Sequence, residues 1–275
     1  TDPTPYGLVE MTNAAYHASV GYSKSHLDKV ADSELSYWHH YLNPDREPAE
    51  QSDDLVLGSA THSATVEPDL FSKEFLILPD LDLRTKNGRA ERDAFVAAHP
   101  GASIITVDQR KTALAIASAV RRHPVAGRLF VGGRAEQSYF AMDRETGETI
   151  KCRTDYFIES AGMIVDLKTT KDASDDGIGK AVANFRYDLQ PPWYQDVFEA
   201  LYDEAPPYWV FVFVEKTPPY NINVCYPTPD QIAAARVVAR RDFLKILECK
   251  RTGVWRDHAT EIKPMPIPAW YLKNR

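Results

Sequence analysis

The stretch IKCRTDYFIESAGMIVDLKTT, residues 150–170, predicts two β-strands joined by a short turn. Both halves are rich in β-branched and aromatic residues, and the Ser-Ala-Gly sequence between them is typical of a turn. Three charged residues, Asp155, Asp166 and Lys168, nevertheless interrupt the apolar pattern. Charged side chains are rarely buried without a partner, so these three require an explanation.

The geometry of two paired strands can bring these three residues together. Side chains along a strand alternate between its faces, so Asp166 and Lys168 project from one face, and the neighbouring strand can place Asp155 beside them. One interpretation is an ion pair between Lys168 and a carboxylate. The other is a site for Mg²⁺, which binds one or two carboxylates and retains several waters. There the carbonyl of Leu167 would add a neutral oxygen, and Lys168 would lie near a water that attacks phosphorus. The local spacing leaves the two interpretations evenly balanced.

The segments around these strands predict a mixed sheet flanked by helices. The run AEQSYFAMD, residues 135–143, precedes them across the turn signal RETG and completes an antiparallel meander. Apolar residues elsewhere recur at helical spacing or in short β-rich runs. We therefore expect an α/β fold of the mixed α+β kind with a central mixed sheet. Helices are predicted at about 21–42 (one or two), 54–66, 84–100, 108–122, 174–185, 189–203 and 228–251, and further strands at 74–79, 102–108, 208–216 and 221–227.

Length and composition are typical of a soluble globular protein. The 275 residues are 44% hydrophobic and 26% charged, and neither an apolar run of about 18 residues nor a signal-peptide pattern is visible. We therefore expect a cytoplasmic protein with no membrane partner. Cys152, Cys225 and Cys249 are odd in number and far apart, which argues against both a disulfide framework and a thiolate zinc site.

The charge balance limits how the chain can contact nucleic acid. A net charge of −7, from 32 Lys and Arg against 39 Asp and Glu, is not that of a protein that coats nucleic acid unselectively. Any DNA contact must therefore be local. Basic residues cluster at Arg110–Arg128 and Arg236–Arg251, where a solvated helix face is the simpler interpretation.

Three further polar residues lie at helical spacing outside the meander. His62 follows Gly58 by four residues, so the two share a helix face on which glycine permits close approach and the imidazole can point inward. Gln190 and Tyr194 are one turn apart at the start of another helix, where the two intervening prolines suit the first turn. Taken alone, each is more typical of a structural residue than of an active site.

In chain order these residues resemble the motif series of a nuclease superfamily. The motifs G-x-x-x-H ending at His62, Asp155 at a strand end, D-L-K-T from Asp166 and Q-x-x-x-Y from Gln190 are similar to those of RecB-like nucleases in the PD-(D/E)xK superfamily. More narrowly, MTNAAYHASVGYSKSHLD, AEQSYFAMDRETG and CRTDYF resemble the catalytic domain of the RecE-type exodeoxyribonuclease VIII family. The resemblance extends over about residues 11–202, and the order of the motifs favours the metal site over the ion pair.

The resemblance implies an activity and its partners. It implies a Mg²⁺-dependent, ATP-independent 5′–3′ exonuclease, with Mn²⁺ able to substitute, that degrades linear double-stranded DNA from its ends. The 3′ single-stranded tails would serve recombination through a single-strand annealing protein. It further implies a homo-oligomer, in which a ring could enclose the basic segments. The alternatives are an endonuclease or single-strand nuclease on the same fold, or a non-catalytic DNA-binding recombination module.

The resemblance also implies roles for individual residues. The whole chain, 1–275, is expected to form one nuclease domain, with a helical part over 1–70, a sheet core over 71–215, and a C-terminal strand and long helix over 216–275. Its positions match three kinds of functional residue: catalytic residues (His62, Asp155, Asp166, Lys168, Gln190 and Tyr194), metal ligands (His62, Asp155, Asp166, the Leu167 carbonyl and Glu136), and a 5′-phosphate site at a helix N-terminus (Ser23, Lys24 and Ser25).

Overall fold

The computed structural model describes residues 6–47, 52–268 and 271. Its strands form a six-stranded sheet in the order β1-β4-β5-β6-β7-β8 and a separate parallel pair, β2 and β3. Within the large sheet, only β6 and β7 are parallel, and the other neighbours are antiparallel. The strands are β1 (Gly7–Val9), β2 (Phe75–Ile77), β3 (Ser103–Ile105), β4 (Arg134–Met142), β5 (Thr149–Ile158), β6 (Met163–Thr170), β7 (Tyr208–Glu215) and β8 (Ile222–Cys225).

The helices start and end where their capping residues predict. The long C-terminal helix, for example, begins with a capping box between Thr228 and Gln231 and ends at Gly253 in the left-handed conformation. None of the helices in the described part of the chain is long and apolar enough to cross a membrane. The helices are α1 (Asn13–Ala18), α2 (Lys24–Asp32), α3 (Glu34–Tyr41), α4 (Asp53–Val66), α5 (Pro68–Glu74), α6 (Lys86–Ala98), α7 (Val107–Arg122), α8 (Ala126–Leu129), α9 (Asp175–Phe185), α10 (Gln190–Tyr202) and α11 (Pro229–Thr252).

Helices cover both faces of the central strands. Along β7, Phe211 and Phe213 pack into a core with α2, α10 and α11, whereas Val212 and Val214 pack into a second core with α7. Burial on both faces explains why this strand is continuously apolar instead of alternating. The predicted fold class, a mixed α/β fold with a central mixed sheet between helices, is confirmed.

The two helices of residues 21–42 agree with the prediction of one or two, whereas α5 and β1 were not predicted. Ser33 ends the first of the two helices and caps the second through its hydroxyl. Pro68 follows the end of α4, as predicted, but it also occupies the first position of α5. A proline fits there because the N–H of the first helical residue has no acceptor within the helix. The short edge strand β1 was not predicted, since three residues carry little periodic signal.

The arginines of the second basic segment are used within the chain. Arg236 pairs with Asp196, Arg240 pairs with Asp143 at 2.7 Å, and Arg241 contacts Asp242 at 2.8 Å. The first two pairs connect α11 to α10 and to the turn after β4, and the third lies within α11 itself. The segment therefore contributes less positive charge to the surface than its sequence suggests.

Candidate active site

The two aspartates of the opening stretch lie where β5 and β6 separate. The ladder between these strands runs from Ile158 opposite Met163 to Tyr156 opposite Val165 and ends there. The next register position would set Asp155 opposite Asp166. Instead of a backbone pair, the Leu167 N–H donates a hydrogen bond to Asp155 Oδ2 at 2.9 Å. Because the N–H and C=O of an extended residue point to the same strand edge, the Leu167 carbonyl also faces this fork, as its predicted ligand role requires.

Strand β4 is distorted beside the same point. Its register with β5 places Glu136 opposite Asp155, but Glu136 has a φ of 52°, and the pair is missing from an otherwise continuous ladder. A non-glycine residue in the left-handed region within a strand is strained. The pleat changes here as well, since Cys152 packs towards α10 and Tyr156 towards α7, although strict alternation would put both on one face.

Asp166 is held by two partners. It is 1% exposed, forms an ion pair with Lys168, and accepts a hydrogen bond from Gln190 Nε2 at 2.8 Å. Burial and the neighbouring Asp155 raise the pKa of Asp166 to about 6, although Lys168 opposes the shift. Burial opposes the charge on Lys168, but the two aspartates raise its pKa above the ordinary value. The predicted ion pair is therefore present.

His62 joins the second aspartate to Glu136. Its Nδ1 lies 2.8 Å from Glu136 Oε1, and its Nε2 lies 2.8 Å from Asp155 Oδ2. Burial opposes protonation of the ring, yet the two carboxylates raise the pKa of His62 well above its usual range. The imidazolium in turn lowers the pKa of Asp155, against the effect of burial. The pKa values of the two aspartates are thus shifted in opposite directions, downward for Asp155 and upward for Asp166.

Gly58 explains how α4 brings His62 to the sheet. A Cβ atom at this position would stand 3.8 Å from Thr169 Oγ1 near the end of β6, so this face of α4 lies directly against the strand. The spacing of four residues then places His62 one turn further along the same face.

The two prolines leave the start of α10 regular. They lie in the first turn, where their missing N–H groups have no helical acceptor to lose. Gln190 therefore reaches Asp166, while the Tyr194 hydroxyl donates to the Arg153 carbonyl at 3.0 Å. Tyr194 thus contacts the backbone of β5 two residues before Asp155.

The three residues of the predicted phosphate site line the same cavity as the acidic groups. This cavity has a volume of about 630 Å³. The hydroxyl of Ser23 lies 3.0 Å from His26 Nδ1, and Lys24 pairs with Asp28 at 2.8 Å and donates to the Phe185 carbonyl. Ser25 is exposed. The predicted residues that line the cavity are Ser23, Lys24, Ser25, His62, Glu136, Asp155, Gln190 and Tyr194, whereas the buried Asp166 and the half-buried Lys168 lie outside the lining.

Arg153 was not predicted as part of the site. Its Nε donates to Glu136 Oε2 at 2.5 Å, and the side chain borders the cavity. The available signal was its position two residues before Asp155 on one strand, because that spacing puts both side chains on the same face.

The donor set fits a divalent cation. Two atoms, Asp166 Oδ1 and His62 Nε2, are buried without an aligned hydrogen-bond partner in the described part of the chain, even though each lies beside an oppositely charged group. Such atoms are costly to bury unless another ligand satisfies them. Within the residues that the structure describes, no three His, Cys, Asp or Glu side chains already form a metal-ligating cluster. Two carboxylates and a carbonyl nevertheless suit Mg²⁺, which keeps several waters.

Comparison with known proteins identifies the family. A family of PDDEXK-like domains of unknown function, DUF3799, matches residues 23–265. The chain belongs to this family. The match includes all the predicted catalytic residues and the whole sheet except β1. No curated protein sequence matches the chain.

A solved structure supports the fold of this DUF3799 member. A candidate exonuclease from Eubacterium rectale is similar with a TM-score of 0.64 and 18% identity, over 96% of this chain and 98% of its own. A second structure, SSO0001, aligns over 82% of this chain and 89% of its own at 12% identity with a TM-score of 0.28, which is too low to support a common fold. The family match agrees with the PD-(D/E)xK superfamily that the motif order resembles, but does not distinguish the RecE-type family within it.

Proposed function

We propose that the chain is a Mg²⁺-dependent, ATP-independent exonuclease that degrades linear double-stranded DNA in the 5′–3′ direction. The observation that carries the proposal is the fork between β5 and β6, where Asp155 and His62 pair in the cavity wall and Asp166 and Lys168 pair directly behind it. PD-(D/E)xK family membership makes phosphodiester hydrolysis the reaction that best fits this set.

His62, Asp155, Asp166 and the Leu167 carbonyl would hold the cation. Mg²⁺ bound there would act as a Lewis acid on the phosphate and lower the pKa of the attacking water, and Mn²⁺ would do the same. The chain itself supplies the remaining functions. Lys168 orients the water and stabilises negative charge that develops on the phosphate. Gln190 keeps Asp166 oriented, and Tyr194 fixes the backbone of β5 next to Asp155.

The N-terminus of α2 is the proposed site for the 5′ phosphate. The backbone N–H groups of Lys24 and Ser25 have no acceptor among the residues described, and they border the same cavity as Asp155. A helix N-terminus favours an anion at this position. Lys24 already has two partners, so the helix amides and the Ser25 hydroxyl would provide most of the binding.

Recombination is the proposed context. The 3′ single-stranded product would pass to a single-strand annealing protein, and several copies of the chain would assemble, in a ring if the enzyme is processive. These partners rest on the resemblance of the motif series to RecE-type enzymes.

The test uses linear duplex labelled at either the 5′ or the 3′ end. With Mg²⁺ and without ATP, early release of the 5′ label and survival of the 3′ label is the expected result. A closed circular duplex and a single strand serve as controls. Cleavage of the circle would instead indicate an endonuclease, degradation of the single strand alone would indicate a single-strand nuclease, and DNA binding without any product would indicate a non-catalytic module.

A further inference from the structure

We propose that Glu136 and Arg153 are positioning residues that fix the imidazole of His62 in front of Asp155. The inference rests on the proposed function, because it assigns a role to these residues within the same site. It differs from the expectation that Glu136 binds a cation itself. The argument depends on what each oxygen of Glu136 contacts.

Both oxygens of Glu136 are engaged by the chain. Oε1 lies 2.8 Å from His62 Nδ1, and Oε2 accepts from Arg153 Nε at 2.5 Å. A carboxylate beside Nδ1 favours a proton on that nitrogen. The ring is then oriented with Nδ1 towards Glu136 and Nε2 towards Asp155. A carboxylate that holds the far nitrogen of a ligating histidine is the usual way in which proteins set the orientation of such a ring.

Arg153 is anchored and therefore acts through Glu136. Its Nη1 donates to the Met11 carbonyl at 3.1 Å and to Ser138 Oγ at 2.5 Å, and its side chain is 12% exposed. These contacts and the pair with Glu136 use donors on both sides of the guanidinium. The planar guanidinium of Arg153 thus links Glu136 to Ser138 in the same strand and to Met11 before α1.

The backbone of Glu136 supports a functional role for this arrangement. Its φ of 52° is unfavourable for a side chain with a Cβ, and neither of its neighbours in β4 shares it. Strained residues persist where surrounding contacts fix them, and they concentrate at functional sites. Here the strained residue is the one whose carboxylate contacts His62 on α4.

A double-mutant cycle between Glu136 and His62 tests the proposal. Glu136→Gln should lower both the hydrolysis rate and the affinity for Mg²⁺, measured by calorimetry, by about 10- to 100-fold. In a His62→Ala background the same change should have little further effect, because the ring it positions is gone. Glu74→Gln is the matched control, since Glu74 borders the same cavity but accepts its hydrogen bond from the Ser63 hydroxyl.

A second readout needs neither cation nor DNA. Side-chain ¹⁵N NMR of the metal-free protein should show one defined set of ring signals for His62, with a proton held on Nδ1 next to Glu136. Glu136→Gln should broaden or shift these signals, and Glu74→Gln should not. Arg153→Lys, which keeps the charge, should retain more of the wild-type spectrum than Arg153→Met. If Glu136→Gln does not fold, Arg153→Met replaces it in the cycle.

The outcomes separate this proposal from the proposed function. Equal losses from Glu136→Gln with and without His62 would mean that Glu136 acts directly, as a cation ligand or on DNA, and would overturn the positioning role. An unchanged His62 spectrum in Glu136→Gln would overturn it as well. A wild-type protein that hydrolyses no DNA would refute the proposed function, while the spectra would still decide whether Glu136 orients His62.

Discussion

Replacement of Gln190 by alanine should impair the site without unfolding the protein. Gln190 and Asp166 are 8% and 1% exposed, and the amide Nε2 lies 2.8 Å from Asp166 Oδ2. A hydrogen bond to a charged group in such surroundings contributes about 1.5–3 kcal/mol. If the loss falls wholly on the transition state, the rate constant for hydrolysis decreases by about 10- to 150-fold.

Gln195 provides a control on the same helix. Its side chain makes two hydrogen bonds, one to the Pro206 carbonyl at 3.2 Å and one from Arg236 at 2.8 Å. Gln195→Ala should therefore cost comparable free energy of unfolding while leaving hydrolysis close to wild type. Initial rates at saturating Mg²⁺, together with urea unfolding of both variants, make the comparison. A Gln190→Ala rate within twofold of the Gln195→Ala rate would refute the assignment of Gln190 to Asp166.

Further predictions concern three other residues. Lys168→Ala should abolish hydrolysis but leave the circular dichroism spectrum and DNA binding intact, and normal cutting by this variant would exclude the proposed role of Lys168. Lys151 is 1% exposed, and its ammonium donates to the Tyr16 and Ser19 carbonyls at 2.8 and 2.7 Å. In urea titrations, Lys151→Ala should lower the free energy of unfolding by about 3 kcal/mol or more. Lys180 is exposed, so Lys180→Ala should not cause such a loss. Burial and the nearby Lys151 lower the pKa of His26 to about 3, so His26 takes up a proton in the unfolded chain before it does in the folded protein as the pH falls below 6.5. The free energy of unfolding should therefore decrease by about 2 kcal/mol between pH 7 and pH 5. This decrease should be smaller in His26→Gln.

The sheet and the paired aspartates could be predicted because their signals are local. The meander follows from period-two patterning and turn residues in a short segment, and the apolar run of β6 follows from burial on both faces. The spacing of Asp166 and Lys168 fixes their common face whatever the rest of the chain does. His62 could be associated with them only through the order of the motifs, since α4 lies about a hundred residues away in the chain.

The features that escaped prediction depend on contacts between distant residues. Lys24 looked available for a phosphate, but its ammonium donates to the Phe185 carbonyl, 161 residues further along. Arg240 looked like part of a basic surface, but it pairs with Asp143. The left-handed backbone of Glu136 has no sequence signal, because glutamate carries no preference for that conformation. Such contacts are set by how the elements pack, which local patterns do not specify.

The ion pair and the metal site, which local spacing left as alternatives, involve the same residues in one arrangement. Lys168 neutralises Asp166 and His62 neutralises Asp155, so each buried carboxylate already has a cation beside it. Without these partners, two facing carboxylates would repel each other strongly in a buried site. However, neither Asp166 Oδ1 nor His62 Nε2 has an aligned hydrogen bond among the residues that the structure describes. The pairs therefore stabilise the charges enough for the strands to form, and a divalent cation that displaces the proton from His62 Nε2 would satisfy both atoms better. This explains how two short apolar strands can carry three charged residues at the point where they separate.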